Sequence, residues 1–188
     1  MTTHPNLLDS HNSLLLIVDI QDKLTTVMPE GNAQDMLENS ARLIAAANLL
    51  NLPIIITEQY PKGLGLTVDS IREKLSDKTP RFEKTGFSCL AAENFQDTLE
   101  KTTRKQIIIV GQETHVCILQ TALELMQQGY QVHIVEDAVC SRKAENKFYA
   151  LQRLQSQGAS ISNFESVLFE WLKNSQHEHF SAISALLR

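Results

Sequence analysis

The sequence predicts a three-layer α/β/α domain built on a parallel sheet. Short apolar runs alternate with helical patterns along the whole length of the 188 residues. Those runs are continuous rather than alternating apolar and polar, which suits strands covered on both faces. A series of strand–helix units closes as parallel strands joined by right-handed crossovers. The length fits one domain over residues 1–188, with a substantial core. No internal repeat, low-complexity segment or linker interrupts it.

Ser13–Asp19 reads as the first strand, with five apolar residues before the aspartate. Ala33–Leu50 follows as a helix, with Met36, Leu43, Ala46, Ala47 and Leu50 on its inner face. Pro53–Thr57 is the second strand, and Arg81–Lys84 a short third. Between them, Glu58–Leu66 with Pro61, Gly63 and Gly65 is the clearest irregular stretch. A helix over Ala92–Leu99 leads into the strand Gln106–Val110. Gly111 ends that strand, and Leu119, Ala122, Leu123 and Met126 then recur at helical spacing until about Gln128, where Gly129 stops the helix. Tyr130–Val135 is a fifth strand, Arg142–Gln157 a helix with Phe148, Leu151 and Leu154 inward, and Ala159–Ser162 a sixth strand. Two helical segments complete the chain.

Composition excludes several classes of function. The net charge of −5 and the lack of a basic cluster with interleaved aromatics argue against nucleic acid and anionic membranes as partners. The start Met-Thr-Thr-His-Pro-Asn has neither the basic residues nor the apolar stretch of a signal peptide. No apolar run reaches the length that crosses a bilayer. Cys89, Cys117 and Cys140 form neither a zinc spacing nor an even-numbered disulfide framework, so a reducing cytoplasm is the expected setting.

The segment Ile107 to Ala122 carries the chemistry. Thr114 as an N-cap puts Cys117 at the third helical position, among amides without intrahelical acceptors. The positive end of a helix lowers a thiol's pKa from its free value of about 8.5, and the same amides can hold an oxyanion. Asp19 closes the first strand, Lys84 the third, and Cys117 follows the fourth, so all three fall on the rim where open α/β sheets bind ligands. A carboxylate beside a thiol serves as base and later as acid, while an ammonium favours the thiolate. His115 reads as a wall of the pocket, and Cys89 and Cys140 as space-filling residues. Ser141 reads as the N-cap of the next helix, and Arg142 as a partner of Asp137 or part of a subunit contact.

The chain resembles the isochorismatase-like cysteine hydrolase superfamily, and most of all its isochorismatase domain-containing branch. The matching stretches are Leu15–Gln21, Thr57–Gly65, Lys84 with Phe87-Ser88, Gly111–Cys117, Asp137-Ala138, Ser141-Arg142 and Glu165–Phe169. They span nearly the whole chain in the family's order. The resemblance implies a parallel sheet of six strands with helices on both faces, and an Asp–Lys–Cys triad at Asp19, Lys84 and Cys117. It also implies a cis peptide at Gln112–Glu113 and an oxyanion hole made by the amides of Glu113 and Cys117. Gln21, Tyr60, Phe87 and His115, with Leu64 and Leu66, are the candidate contacts to a small, partly apolar substrate.

Nicotinamidases of this superfamily carry an Asp-x-His metal motif near the end of the second strand. Here that region reads Thr57-Glu58-Gln59-Tyr60, and no histidine lies between His11 and His115. His177 and His179, two apart on a C-terminal helix, would point in different directions. The expectation is therefore no metal and no cofactor. Isochorismatases proper cleave a vinyl ether without a nucleophilic cysteine, so Cys117 points to the amidase-type members and to carbon–nitrogen hydrolysis through a thioester. A catalytically silent binding protein and a redox-responsive thiol protein are the competing readings. Relatives of this kind are commonly homo-oligomers, and the resemblance implies a dimer or a larger symmetric assembly here. Val167–Leu172, with Phe180, Ile183, Leu186 and Leu187, supplies either a contact surface for a dimer or larger assembly or a cover for its own sheet.

Overall fold

The computed structural model describes residues 4–187; residues 1–3 and 188, which fall within the expected domain of residues 1–188, lie outside them. In chain order the elements are β1 (Ser13–Val18), α1 (Asp22–Thr25), α2 (Glu30–Leu49), β2 (Ile54–Gln59), α3 (Pro61–Leu64), α4 (Asp69–Arg72) and β3 (Arg81–Lys84). Then come α5 (Phe95–Lys101), β4 (Gln106–Gln112), a π-helical turn (Thr114–Ile118) running into α6 (Leu119–Gln127), and β5 (Gln131–Cys140). The chain continues through α7 (Ala144–Ser156), β6 (Ser160–Ser162), α8 (Phe164–Leu172) and α9 (Phe180–Ser184).

The strands form a six-stranded sheet in the order β3-β2-β1-β4-β5-β6, with every pairing parallel. All C-terminal strand ends therefore share one rim. The chain winds outward from β1 to β3, crosses back to β4 and winds outward again, so β1 and β4 flank the point where the winding reverses. Crevices open at such points in α/β sheets.

Strand side chains alternate between faces, and this explains the continuous apolar runs. Leu15, Ile17, Ile54, Ile56, Ile108 and Val110 point into one cluster, closed by Met36, Leu43 and Ile44 of α2 and by Val167, Leu168 and Trp171 of α8. Leu14, Leu16, Val18, Ile55, Ile107 and Ile109 point into the other, closed by Phe95 and Leu99 of α5, Ala122 and Leu125 of α6, and Leu154 of α7. The C-terminal segment thus covers its own sheet, with Val167, Leu168, Trp171, Leu172 and Ile183 all buried within the chain.

Three local readings change. β5 does not stop at Val135: its register shifts against β4 so that Ile109 pairs with Ile134 but Gly111 with Val139, and the strand resumes to Cys140. The polar Glu136-Asp137 that hides this in the sequence sits in the bulge, where Asn39 of α2 donates to the Asp137 carbonyl at 2.8 Å. Phe148 is 55% exposed rather than inward, because Ala150 and Leu154 head the buried stripe of α7. His177 and His179 do not diverge: the chain turns before α9 and their ring centroids lie 5.7 Å apart.

One buried histidine makes the fold sensitive to acid. His133, on β5 opposite Ser160, is 3% exposed, and its Nε2 has no hydrogen-bond partner among the described residues. Burial pushes its pKa down to about 4. The unfolded chain takes up the proton near 6.5, so this contribution is present above about pH 6.5 and is lost as pH falls toward 4. His133→Leu is expected to lose about 2 kcal/mol less stability than wild type between pH 7 and pH 5, measured by denaturant unfolding at both. Equal losses would show that His133 is free to charge in the fold.

Candidate active site

Asp19 follows β1 in a left-handed backbone conformation (φ 50°), one that a short polar side chain tolerates. Its amide donates to the Thr57 carbonyl at 3.1 Å, and its own carbonyl accepts from the Gln21 amide at 2.8 Å and from Gln112 Nε2 at 3.1 Å. The residue is thereby tied to β2 and β4 on either side. Its carboxylate is fully buried and held at both oxygens, Oδ1 by the Thr57 hydroxyl at 2.8 Å and Oδ2 by Lys84 Nζ at 2.7 Å.

Lys84 ends β3 and reaches across β2 to that carboxylate. Its ammonium also donates to Gln59 Oε1 at 2.7 Å and to the Phe87 carbonyl at 2.9 Å. Three protons meet three close acceptors, so the ammonium is saturated by the protein itself. Burial disfavours its charge, but the charge of Asp19, with those of Cys89 and Cys117 once they ionise, outweighs burial and raises its pKa above the ordinary lysine value.

Cys117 enters from β4. Glu113, not Thr114, is the residue that caps the following turn, and Thr114 Oγ1 instead donates to the Cys140 carbonyl at 3.0 Å. The turn is π-helical: the Glu113 carbonyl accepts from the amides of Val116 at 3.1 Å and Ile118 at 3.3 Å, on either side of Cys117. Such bulges recur at functional sites. The Gln112–Glu113 peptide bond is cis. Cys117 is 5% exposed.

The expected depression of the Cys117 pKa is reversed. Burial raises it well above the ordinary thiol range, and Asp19 raises it further through its charge and as a hydrogen-bond acceptor; Lys84 opposes both. The resting pair is a thiol beside a carboxylate.

The candidate substrate contacts separate. Tyr60 and Phe87 stand on the rim beside Lys84, 54% and 52% exposed, with the Tyr60 amide donating to the Lys84 carbonyl at 2.8 Å. Leu66 is exposed as well, and Leu64 half-buried. His115 is half-buried and turned to the α7 side, Nδ1 at 3.0 Å from Ser141 Oγ and Nε2 at 3.3 Å from Asn146 Nδ2. Gln21 is fully buried, and its amide bonds Gln59 N, Gln59 O and Gly65 O at 2.6–3.0 Å. It holds the loop after β2 from beneath, with both amide protons spent on the protein.

Ser141 is corrected, and of the two readings of Arg142 the pairing with Asp137 falls away. Lys143 precedes α7 as its cap residue, and Arg142 pairs with Glu113 at 3.1 Å, not with Asp137, which accepts from the Phe164 amide at 2.9 Å. Cys140 packs against Met36 Sδ at 3.3 Å, with burial raising its pKa to about 12. Cys89 lies 3.6 Å from the Thr57 hydroxyl and so belongs to the site's surroundings.

Thr57, Gln59 and Gln112 are the supporting residues that sequence reasoning missed. Thr57 and Gln59 share a face of β2 by the period of two, and both reach the Asp19–Lys84 pair. They occupy the stretch where nicotinamidases of this superfamily carry their metal motif. Among the described residues, no three His, Cys, Asp or Glu side chains gather as a metal site. No helix among them is long and apolar enough to cross a membrane.

Residues 13–166 match the isochorismatase domain. Isochorismatase domain-containing protein 2 of Danio rerio is 38% identical over 182 residues, covering 96% of this chain and 89% of that one. Among solved structures, the MAR1 ribonuclease of Caenorhabditis elegans superimposes with a TM-score of 0.90 at 37% identity, covering 96% of this chain and 91% of that one. The YcaC gene product of Escherichia coli, described as an octameric hydrolase of unknown specificity, does so at 0.89 and 25% identity, covering 99% and 91%. With its six-stranded parallel sheet between two helical layers, its domain match and these relatives, the chain belongs to the isochorismatase family.

Proposed function

We propose that the protein is a cysteine hydrolase that cleaves the carbon–nitrogen bond of a small amide without a metal. The observation that carries this reading is the buried Cys117 beside Asp19, a carboxylate held at both oxygens by Thr57 and Lys84. Asp19 takes the Cys117 proton as the thiolate attacks the substrate carbonyl. The oxyanion faces the amides of Glu113 and Cys117. Asp19 then passes the proton to the leaving nitrogen, which departs as ammonia or an amine and leaves a thioester. A water attacks the thioester, gives its proton to Asp19, and the acid product leaves as Cys117 regains its thiol proton. Lys84, saturated by protein acceptors, keeps its charge throughout and stabilises the thiolate. Tyr60 and Phe87 form the apolar edge that the substrate meets.

Ammonia release from a panel of small amides, with mass spectrometry of the quenched enzyme, tests this directly. Wild type is expected to release ammonia and carry an acyl mass on Cys117, and Cys117→Ala to do neither. Asp19→Asn gives an opposed pair of outcomes: turnover is lost for want of an acid, yet iodoacetamide labelling of Cys117 shifts to lower pH by about one to two units, because a negative neighbour has gone while Lys84 remains. Turnover by Cys117→Ala, or an unmoved labelling profile in Asp19→Asn, would falsify the mechanism.

A further inference from the structure

Thr57 touches both the acid–base group of the site and a second thiol. It is 1% exposed, with its hydroxyl 2.8 Å from Asp19 Oδ1 and 3.6 Å from Cys89 Sγ. Proton counting orders the chain. An ionised carboxylate only accepts, so the single Thr57 proton points to Asp19. The Thr57 oxygen is then the acceptor for the Cys89 S–H. Cys89 is fixed by its own amide, which donates to Thr121 Oγ1 of α6 at 2.9 Å, and burial keeps it a thiol by raising its pKa to about 11. The titratable groups that face Asp19 are Lys84 from β3, Cys89 from the turn after β3 and Cys117 from the π-helical turn.

We propose that Thr57 is a positioning residue for Asp19: its hydroxyl, held in turn by the Cys89 thiol, fixes the rotation of the carboxylate, steadies its charge and so sets how readily Asp19 takes the Cys117 proton. This rests on the acid–base role given to Asp19 above. The rival is a packing role, since a β-branched residue suits a buried strand position. The two roles separate by chemistry, because valine preserves the packing and loses the hydroxyl, whereas serine does the reverse.

The test is the rate of Cys117 labelling by iodoacetamide from neutral to alkaline pH, resolved by peptide mass spectrometry so that each cysteine is followed separately. In Thr57→Val the profile is expected to move to higher pH by about one unit, as a carboxylate that has lost its donor is a stronger acceptor and holds the Cys117 proton more tightly. Thr57→Ser is expected to keep the wild-type profile. In the Asp19→Asn background, Thr57→Val is expected to add no shift, since the effect runs through Asp19. A wild-type profile in Thr57→Val, a serine variant that moves as far as the valine variant, or an equal shift in the Asp19→Asn background overturns the proposal. If Thr57→Val does not fold, Thr57→Ala against Thr57→Ser isolates the same hydroxyl with the same readout. A shift in Asp19→Asn without one in Thr57→Val or Thr57→Ala removes only the part given to Thr57. No shift in Asp19→Asn removes the role of Asp19 and this proposal with it.

Discussion

Gly111→Ala is expected to lower stability by about 4 kcal/mol or more, enough to leave little folded protein at physiological temperature. The glycine lies in β4 opposite Val18 of β1, with φ 117°. That conformation is strained for any residue with a Cβ. The added carbon would also overlap the Val18 carbonyl oxygen and sit 2.9 Å from the Val18 carbonyl carbon. Both are backbone atoms of the central strand pair, so no side-chain rotation relieves the contact. The strands would have to part where the winding reverses, and Asp19 and Gln112 are the next residues along. Urea unfolding of the variant beside wild type measures the loss, and a midpoint that matches wild type would show that β1 and β4 can separate at little cost.

This glycine also marks how far the sequence could be read. Gly111 is visible as the end of an apolar run, but not as the contact that lets β4 approach β1. Strand periodicity placed Asp19, Lys84 and Cys117 on one rim, because each closes or follows a strand and parallel strands share a rim. What surrounds them was not legible, because it depends on pairing between distant segments. Thr57 and Gln59 look like ordinary strand residues until β2 is known to lie between β1 and β3. The π-helical turn has no sequence signature of its own, so Cys117 reads as the third residue of a normal helix. The sign of the Cys117 shift was missed for the same reason. A helix terminus is a local feature, whereas burial and the Asp19 charge, which raise the thiol's pKa, come from tertiary packing.

Lys84→Met is expected to cost about 3–5 kcal/mol, since removal of one partner from a buried ion pair leaves the other charge uncompensated. Methionine fills much the same volume, so the effect is electrostatic rather than a cavity. Asp19 Oδ2, Gln59 Oε1 and the Phe87 carbonyl would all lose their donor together. The pH dependence has a definite sign. The folded-state pKa of Lys84 lies above the ordinary 10.5, so its stabilisation is fully present below about 10.5 and fades as pH rises through the higher folded value. The gap in stability between wild type and Lys84→Met should therefore hold at neutral pH and narrow only in strong alkali. The thiol responds in the opposite sense to Asp19→Asn: Lys84 is the group that lowers the Cys117 pKa, so its loss moves labelling of Cys117 to higher pH. Opposite displacements by the two variants show that the thiol feels both charges at once. A shift in the same direction from both would mean that the variants act by loosening the fold, and the pair would then be a structural ion pair with no hold on the nucleophile.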